Sequence, residues 1–295
     1  DGPTVGSVLS SDPRITGVVF TGSTDTAQII NRALAARENA ALPTLIAETG
    51  GMNAMIVDST ALPEQVVADV VHSAFQSAGQ RCSALRVLYL QEDIADRVIE
   101  ILRGAMDELR IGDPRDLGTD VGPVIDEDAR QGLLKHVETM KAEGRLIAEA
   151  KLDPAQTSNG TFVAPMAFNI DGIESMETEQ FGPLLHIARY RADQLEAVID
   201  SINAKGYGLT FGVHSRNENF TNHVASRIRV GNVYVNRDII GAVVGVQPFG
   251  GQGFSGTGPK AGGPHYLLRF VTEKTRTINT AALGGNASLL AMGDE

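Results

Sequence analysis

The sequence of 295 residues has one cysteine, no tryptophan and few aromatic residues. A single cysteine excludes an internal disulfide framework, and the lack of a second cysteine suggests a reducing compartment. No run approaches the roughly 18 consecutive apolar residues of a membrane-spanning helix. The N-terminus has neither the basic nor the apolar region of a signal peptide. We therefore expect a cytoplasmic protein without a transmembrane span.

Basic charge is also scarce, with 25 Lys and Arg against 36 Asp and Glu and a formal net charge of −11. Nucleic-acid binding needs clustered basic residues, so we expect no nucleic-acid partner. An anionic small molecule is not excluded, because its binding needs only local donors. The six histidines are scattered without the spacing of metal ligands, and we expect no metal site.

Helical and strand patterns alternate along most of the chain, which indicates an α/β architecture with a largely parallel sheet. The expected strands are Ile15–Phe20, Leu45–Ala47, Ala54–Val57, Arg86–Leu90, Leu146–Ala148, Phe162–Phe168, Leu184–Tyr190, Leu209–His214 and Val230–Val235. The expected helices are Thr24–Ala36, Pro63–Phe75, Ile94–Leu109, Asp126–Ala142, Gln194–Ala204 and Phe220–Ile228. Near the C-terminus, Val271–Ile278 alternates like an edge strand, and the residues after it look loose.

Cys82 follows a predicted helix, in a turn made by Gly79. Free cysteine is among the most buried residue types, so an inert core residue is the simplest interpretation. A core cysteine, however, more often has apolar neighbours, whereas Gln80, Arg81 and Ser83 surround this one. An exposed cysteine beside a positive charge can reach the thiolate form, which is the nucleophile.

Glu48 ends an apolar run and precedes two glycines. A surface carboxylate would satisfy this pattern, but a carboxylate at a strand end beside glycines can also point into a cleft. Together, Glu48 and Cys82 suggest a general base and a nucleophile. No histidine is well placed to activate the thiol, because His72 lies on the preceding helix, where we expect a packing or surface role.

The segment Gly251–Gly256 matches the G-x-G-x-x-G pattern of dinucleotide-binding loops. Such a fingerprint must open a helix, so that the helix N-terminus faces the pyrophosphate. Proline and further glycines follow this segment, and no helix can begin there. We reject it as a Rossmann fingerprint and expect its glycines to let backbone N–H groups approach a small ligand.

The combined motifs resemble the aldehyde dehydrogenase superfamily over essentially the whole chain. In family order they are Phe20-Thr21-Gly22-Ser23, Glu48-Thr49-Gly50-Gly51, Gly79-Gln80-Arg81-Cys82, Glu179-Gln180-Phe181-Gly182-Pro183 and Pro248-Phe249-Gly250-Gly251. The closer resemblance is to the L-glutamate γ-semialdehyde (pyrroline-5-carboxylate) dehydrogenases, in particular the C-terminal part of bifunctional bacterial proline-utilisation enzymes. The residues behind it are Cys82-Ser83, Val235-Asn236-Arg237, the run from Ile240 to Gly245 and the run from Ser255 to Gly263.

This resemblance implies a three-layer α/β fold and an NAD-dependent oxidation of L-glutamate γ-semialdehyde to L-glutamate in proline catabolism. Cys82 forms a hemithioacetal and then a thioester, and Glu48 activates the water that hydrolyses it. The Cys82 N–H donates to the oxyanion. The implied cofactor-binding residues are Gly22, Ser23, Gly51, Glu179 and Phe181. The implied substrate-binding residues are Ser83, Gly241, Ala242 and Phe249.

The resemblance also implies an organisation into three parts. Residues 1–49 are the end of an NAD-binding domain whose earlier βαβ region is missing from this chain. Residues 50–270 form the catalytic thiol domain, with a substrate-anchoring loop at 238–264, and residues 271–295 form a C-terminal strand and tail for oligomerisation or a sheet edge. Because part of the cofactor cleft is missing, we expect the chain alone to bind NAD weakly. A homo-oligomer is expected, with FAD only in a separate proline dehydrogenase domain of the parent chain.

Two alternatives remain open at this point. Cys82 and Glu48 could serve a cofactor-independent thioesterase or acyltransferase, since the thioester step needs no NAD. The chain could also be a non-catalytic oligomerisation piece of a larger enzyme, in which the tail pairs with another subunit.

Overall fold

The computed structural model describes residues 1–38, 40–243, 245–279, 288 and 291–292. The strands are β1 (Gly17–Thr21), β2 (Thr44–Glu48), β3 (Ala54–Val57), β4 (Val87–Gln91), β5 (Leu146–Glu149), β6 (Met166–Asn169), β7 (Leu184–Tyr190), β8 (Tyr207–Gly208), β9 (Thr210–His214), β10 (Asn232–Val235) and β11 (Gln252–Gly253). The α-helices are α1 (Ser7–Ser11), α2 (Thr24–Ala35), α3 (Pro63–Phe75), α4 (Glu92–Asp107), α5 (Glu127–Ala142), α6 (Pro154–Thr157), α7 (Leu195–Ala204) and α8 (Glu218–Arg227).

A seven-stranded sheet with the order β10-β9-β3-β4-β7-β6-β5 dominates the fold. All neighbouring pairs in it are parallel except β5 with β6. A separate parallel pair joins β1 to β2, and a short antiparallel pair joins β8 to β11. The predicted α/β architecture with a largely parallel sheet is therefore confirmed.

The central strands are buried on both faces, as parallel sheets covered by helices usually are. Every residue of β3, β4 and β9 is buried. Fully buried apolar side chains in this region include Met55, Ile56, Leu88, Leu90 and Phe211. Burial of this apolar surface supplies the main favourable term in folding, and it holds the ends of the central strands in fixed positions.

Two helices flank β4 in sequence and pack against each other. Pro63 begins α3 at a position where its missing N–H costs no hydrogen bond. Apolar residues repeat along one side of α4, and its buried residues are Ile94, Ala95, Val98, Ile99, Leu102 and Met106. The end of α3 and the start of β4 are thereby fixed on either side of Cys82.

The connection between β2 and β3 separates the small parallel pair from the seven-stranded sheet. The predicted boundary at residues 49 and 50 falls in this connection, and the roles assigned to the parts stay predictions. The predicted strand Phe162–Phe168 was wrong in extent, because β6 begins at Met166. The predicted edge strand Val271–Ile278 was wrong: these residues are exposed and belong to no strand. Val244 and most of the tail beyond Asn279 lie outside the described residues.

The central sheet should be sensitive to a loss of packing. We expect Leu88→Ala to lower the free energy of unfolding by about 2–5 kcal/mol, because it removes a fully buried side chain from β4. Leu117→Ala is the matched control, since Leu117 is fully exposed, and it should change that free energy by less than about 0.5 kcal/mol. Urea denaturation measures both, and equal effects would contradict the assignment of β4 to the core.

Candidate functional site

Cys82 lies in the connection between α3 and β4, here named the Cys82 loop (residues 76–86). The chain turns through left-handed conformations at Ser77, Ala78 and Gly79, with φ values of 55°, 53° and 64°. A Cβ at Gly79 would lie 2.1 Å from the carbonyl oxygen of Gly182. Glycine is therefore required where this loop meets residues 177–183, here named the Glu179 loop.

The Cys82 side chain is partly exposed. Burial, followed by the negative charges of Glu179 and Glu48, raises the pKa of Cys82 above its ordinary value. The N–H groups of Ser83 and Cys82 oppose this rise, because they favour the charged form of the sulfur. The expectation that a flanking positive charge favours the thiolate was wrong, because Arg81 directs its Nε to the Ser77 hydroxyl at 3.2 Å instead.

Glu48 is the last residue of β2, and residues 250–257, here named the glycine-rich segment, wrap around it. The N–H of Gly251 donates to Glu48 Oε2 at 3.1 Å, and Thr257 bonds the backbone of Ala47 through its N–H and its hydroxyl. A Cβ at Gly250 would lie 2.8 Å from Glu48 Oε1. The G-x-G-x-x-G sequence opens no helix, as predicted, but its first glycine N–H approaches a carboxylate of the chain itself.

The environment of Glu48 suits a general base. Burial raises its pKa to about 7, against the opposing effects of the Gly251 N–H and the positive charge of Lys260. Its Oε1 atom is buried and has no hydrogen-bond partner in the described part of the chain. A carboxylate that titrates near neutral pH can take a proton from water and release it again.

Arg86 joins the Cys82 loop to the Glu179 loop. Its guanidinium is fully buried and donates to the carbonyl oxygens of Gly79 at 2.7 Å, Arg81 at 3.1 Å and Gly182 at 3.3 Å. It also donates twice to Glu179 Oε1, at 2.9 and 3.2 Å. This pairing opposes the rise in the pKa of Glu179 that its burial causes.

The other carboxylate oxygen of Glu179 lies against the paired glycines after Glu48. Glu179 Oε2 accepts the Gly51 N–H at 3.2 Å. A Cβ at Gly50 would lie 2.0 Å from that oxygen, and a Cβ at Gly51 would lie 2.4 Å from Asn53 Oδ1. Neither position can hold a side chain without moving its neighbours. The structure thus brings Glu179 and Gly51 together, and the charges of Glu179 and Glu48 both act on Cys82.

The remaining predicted cofactor residues lie beside this centre. Ser23 caps α2 by accepting the Thr26 N–H at 3.2 Å. The N–H of Gly22 donates to the Glu48 carbonyl at 3.1 Å. The ring centroid of Phe181 lies 5.1 Å from the Arg86 guanidinium. Phe181 is nevertheless 44% exposed, so part of its aromatic surface is open to a ligand.

The predicted substrate residues differ in their exposure. Ser83 is buried, and its carbonyl accepts the Thr210 hydroxyl at 3.1 Å. Phe249 is half-buried and pairs through its backbone with Ala261. Gly241 has a φ of 70° and open space where a Cβ would be, and Ala242 is partly buried. Only Ser83 directly adjoins Cys82, and Phe249 precedes the Gly250 that faces Glu48.

Three residues of this site received no role from the sequence: Asn53, Arg86 and Lys260, of which Lys260 lies within the quoted run from Ser255 to Gly263. Asn53 Nδ2 donates to the carbonyls of Cys82 and Ala84. Arg86 offered a signal, since it is the one charged residue of the predicted strand Arg86–Leu90. Lys260 lies within electrostatic range of Glu48 and bonds the Gly231 carbonyl.

The described residues contain no group of three or more His, Cys, Asp or Glu side chains that could hold a metal ion. Among the same residues, no helix has the length and apolar character needed to cross a membrane.

Comparison with known proteins identifies relatives over nearly the full chain. A model of the aldehyde dehydrogenase family matches residues 1–276. The bifunctional protein PutA of Escherichia coli is 54% identical over 289 residues, which is 96% of this chain and 22% of PutA. The 1-pyrroline-5-carboxylate dehydrogenase of Geobacillus kaustophilus is 38% identical over 278 residues, which is 93% of this chain and 53% of that enzyme. The chain thus spans about a fifth of PutA and about half of the single-function enzyme.

Solved structures of the same two kinds of relative are also similar to this chain. A point mutant of proline utilization A (PutA) from Bradyrhizobium japonicum is 58% identical with a TM-score of 0.90, over 96% of this chain and 29% of that one. The 1-pyrroline-5-carboxylate dehydrogenase from Thermus with bound NAD is 34% identical with a TM-score of 0.84, over 92% of this chain and 52% of that one.

The raised pKa of Glu48 should make stability depend on pH. The folded chain holds this proton more tightly than the unfolded chain, so its stabilising contribution is present below about pH 4.5 and is lost as pH rises through about 7. Glu48→Gln cannot ionise and should avoid that loss. We expect its free energy of unfolding to rise relative to the wild type by on the order of 1 kcal/mol between about pH 5 and pH 8, after allowance for solvent screening.

Urea denaturation at both pH values measures this difference. Glu138→Gln, on an exposed position of α5, is the control for removing a carboxylate and should follow the wild type. A Glu48→Gln curve that also stays parallel to the wild type would show that Glu48 ionises as freely in the folded chain as in the unfolded one.

Proposed function

The chain belongs to the aldehyde dehydrogenase family, and we propose that it is the thiol-bearing part of an NAD-dependent enzyme that oxidises L-glutamate γ-semialdehyde to L-glutamate in proline catabolism. The names of its relatives, PutA and 1-pyrroline-5-carboxylate dehydrogenase, support this substrate. The observation that carries the proposal is the placement of Cys82 within electrostatic range of Glu48, a carboxylate with a pKa of about 7.

In the proposed reaction, the Cys82 thiolate attacks the aldehyde carbon, and the new carbon–sulfur bond gives a hemithioacetal. The Cys82 N–H stabilises the oxyanion. Bound NAD supplies an acceptor for the hydride that leaves this carbon, after which Cys82 carries a thioester. Glu48 then takes a proton from water as the water attacks the thioester. The carbon–sulfur bond breaks, the carboxylate product leaves and the thiol regains a proton.

The residues around this centre fit the cofactor by their chemistry. The start of α2, with Ser23 at its cap, offers backbone N–H groups and the positive end of a helix dipole to a pyrophosphate. Glu179 Oε2, beside Gly51, offers an acceptor for ribose hydroxyl groups. The exposed ring of Phe181 offers an apolar face to the nicotinamide.

The substrate end of the site also fits a small amino acid derivative. The Ser83 hydroxyl and the backbone N–H groups at Gly241 and Ala242 are proposed to hold its α-carboxylate. The positive φ of Gly241 and the open space above it let a ligand approach this backbone closely. Phe249 is proposed to pack on the aliphatic part of the substrate.

The bifunctional names of the PutA relatives support a parent chain that also carries a proline dehydrogenase domain. We propose that FAD belongs to that domain only, and that the enzyme is a homo-oligomer.

The proposal is tested in a chimera in which this chain replaces the matching segment of the Bradyrhizobium PutA, which is 58% identical to it. We expect NADH formation from glutamate semialdehyde to fall by roughly a thousandfold or more in Cys82→Ser, because a hydroxyl is a far weaker nucleophile at neutral pH. Glu48→Gln should give one rapid equivalent of NADH and then a slow steady rate, because the hydride leaves before hydrolysis.

Glu138→Gln is again the control and should keep the activity of the unmodified chimera. A Cys82→Ser chimera that produces NADH at the original rate would refute the nucleophile assignment. Hydrolysis of an activated ester without any NADH formation from the aldehyde would instead favour the cofactor-independent acyl-transfer alternative.

A further inference from the structure

The carboxamide of Asn53 holds the peptide backbone on both sides of Ser83. Its Nδ2 donates to the Cys82 carbonyl at 2.7 Å and to the Ala84 carbonyl at 2.9 Å. Its Oδ1 accepts the Thr210 N–H at 3.1 Å. Asn53 is 2% exposed, so these three bonds have little competition from water. The side chain is therefore fixed at both of its polar ends.

The direction of these bonds determines where the neighbouring N–H groups point. In a trans peptide, the C=O and the N–H of one planar unit point in opposite directions. Asn53 pulls the Cys82 carbonyl toward the interior, so the N–H of Ser83, in the same unit, points the other way. That N–H acts on the Cys82 sulfur and favours its charged form, which lowers the pKa of the thiol. Arg86 Nη2 holds the Arg81 carbonyl in the same manner and so directs the Cys82 N–H.

The Ser83 carbonyl is also held by a side chain, but the N–H of its peptide unit does not face the sulfur. The Thr210 hydroxyl donates to the Ser83 carbonyl at 3.1 Å. The N–H of that peptide unit belongs to Ala84, and it donates to the Arg81 carbonyl at 3.0 Å, not to the sulfur. Asn53 and Thr210 therefore make similar bonds to adjacent peptide units, but only the unit held by Asn53 presents its N–H to the thiol.

We propose that Asn53 is a positioning residue, which aims the Ser83 N–H at the Cys82 sulfur and so stabilises the thiolate nucleophile. In the described part of the chain, the Asn53 side chain bonds only backbone groups and makes no hydrogen bond to the sulfur. The inference deepens the proposed function, because it assigns to the thiol a donor besides its own N–H. It also explains Gly51, since a Cβ there would lie 2.4 Å from Asn53 Oδ1 and displace the carboxamide.

Alkylation of the thiol tests this proposal without NAD or aldehyde. Cys82 is the sole cysteine, so the reaction with iodoacetamide reports on one group. The rate is measured against pH in the wild type and in Asn53→Ala. A hydrogen bond to a charged group is lost when the Ser83 N–H turns away, so we expect the rate near neutral pH to fall about tenfold and the titration midpoint to move to higher pH.

Two control variants separate positioning from general support of the fold. Thr210→Val removes the neighbouring bond to the Ser83 carbonyl, and it should lower the unfolding temperature without moving the alkylation profile. Asn203→Ala removes a side chain that bridges the Arg227 carbonyl and the Arg229 N–H, away from the thiol, and it should also leave the profile unchanged. If Asn53→Ala does not fold, Asn53→Ser takes its place, since a hydroxyl can donate to only one of the two carbonyls.

The proposal is supported if the Asn53 variant alone shifts the alkylation profile. It is overturned if Asn53→Ala or Asn53→Ser loses stability while its profile matches the wild type, or if Thr210→Val shifts the profile as much. Either contrary outcome leaves the proposed dehydrogenase function standing, because NADH formation by the chimera is measured separately.

Discussion

The buried guanidinium of Arg86 connects the parts of the site that the chain supplies from distant positions. It holds carbonyl oxygens of the Cys82 loop at Gly79 and Arg81, and it holds Glu179 and Gly182 of the Glu179 loop. An arginine without exposure is tolerable only if its donors are paired, since an unpaired buried charge is very costly. The bonds that pair the donors of Arg86 therefore also fix the geometry of both loops. One of these partners, Glu179, gains a positive charge that favours its ionised form.

Negative charge dominates the space around the thiol. Glu179 and Glu48 both disfavour a thiolate at Cys82, whereas the N–H groups of Ser83 and Cys82 and the positive charge of the buried Arg86 favour it. Asn53 and Arg86 donate to the carbonyls of the peptide units that carry these N–H groups, and this is how the proposal above has them support the thiol. The glycine-rich segment acts in a similar way on Glu48: it excludes water from Oε1 and offers a single N–H to Oε2, which leaves the carboxylate ready to exchange a proton near neutral pH.

Local pattern was enough to predict several core elements and the places of Cys82 and Glu48 in the chain, while their roles stay predictions. Ala54–Val57, Pro63–Phe75 and Leu184–Tyr190 have the predicted bounds, Glu48 ends β2, and Cys82 lies in the loop that follows α3. The roles of Asn53 and Arg86 could not be predicted in this way, because bonds from a side chain to remote carbonyls leave no period in the sequence. The direction of the pKa shift at Cys82 was predicted wrongly for a related reason: it depends first on burial and then on the remote carboxylates of Glu179 and Glu48, and not on the adjacent Arg81. The alternation at Val271–Ile278 predicts a strand only where a neighbouring strand is available for pairing.

The central claim is that Cys82 carries the acyl group while Glu48 releases it. Mass spectrometry of the acid-quenched chimera tests this most directly, after exposure of the Glu48→Gln form to aldehyde and NAD. The account predicts a glutamyl thioester on the peptide that contains Cys82, at nearly one per site and well above the level in the unsubstituted chimera. NADH formed without any acyl group on that peptide would contradict it.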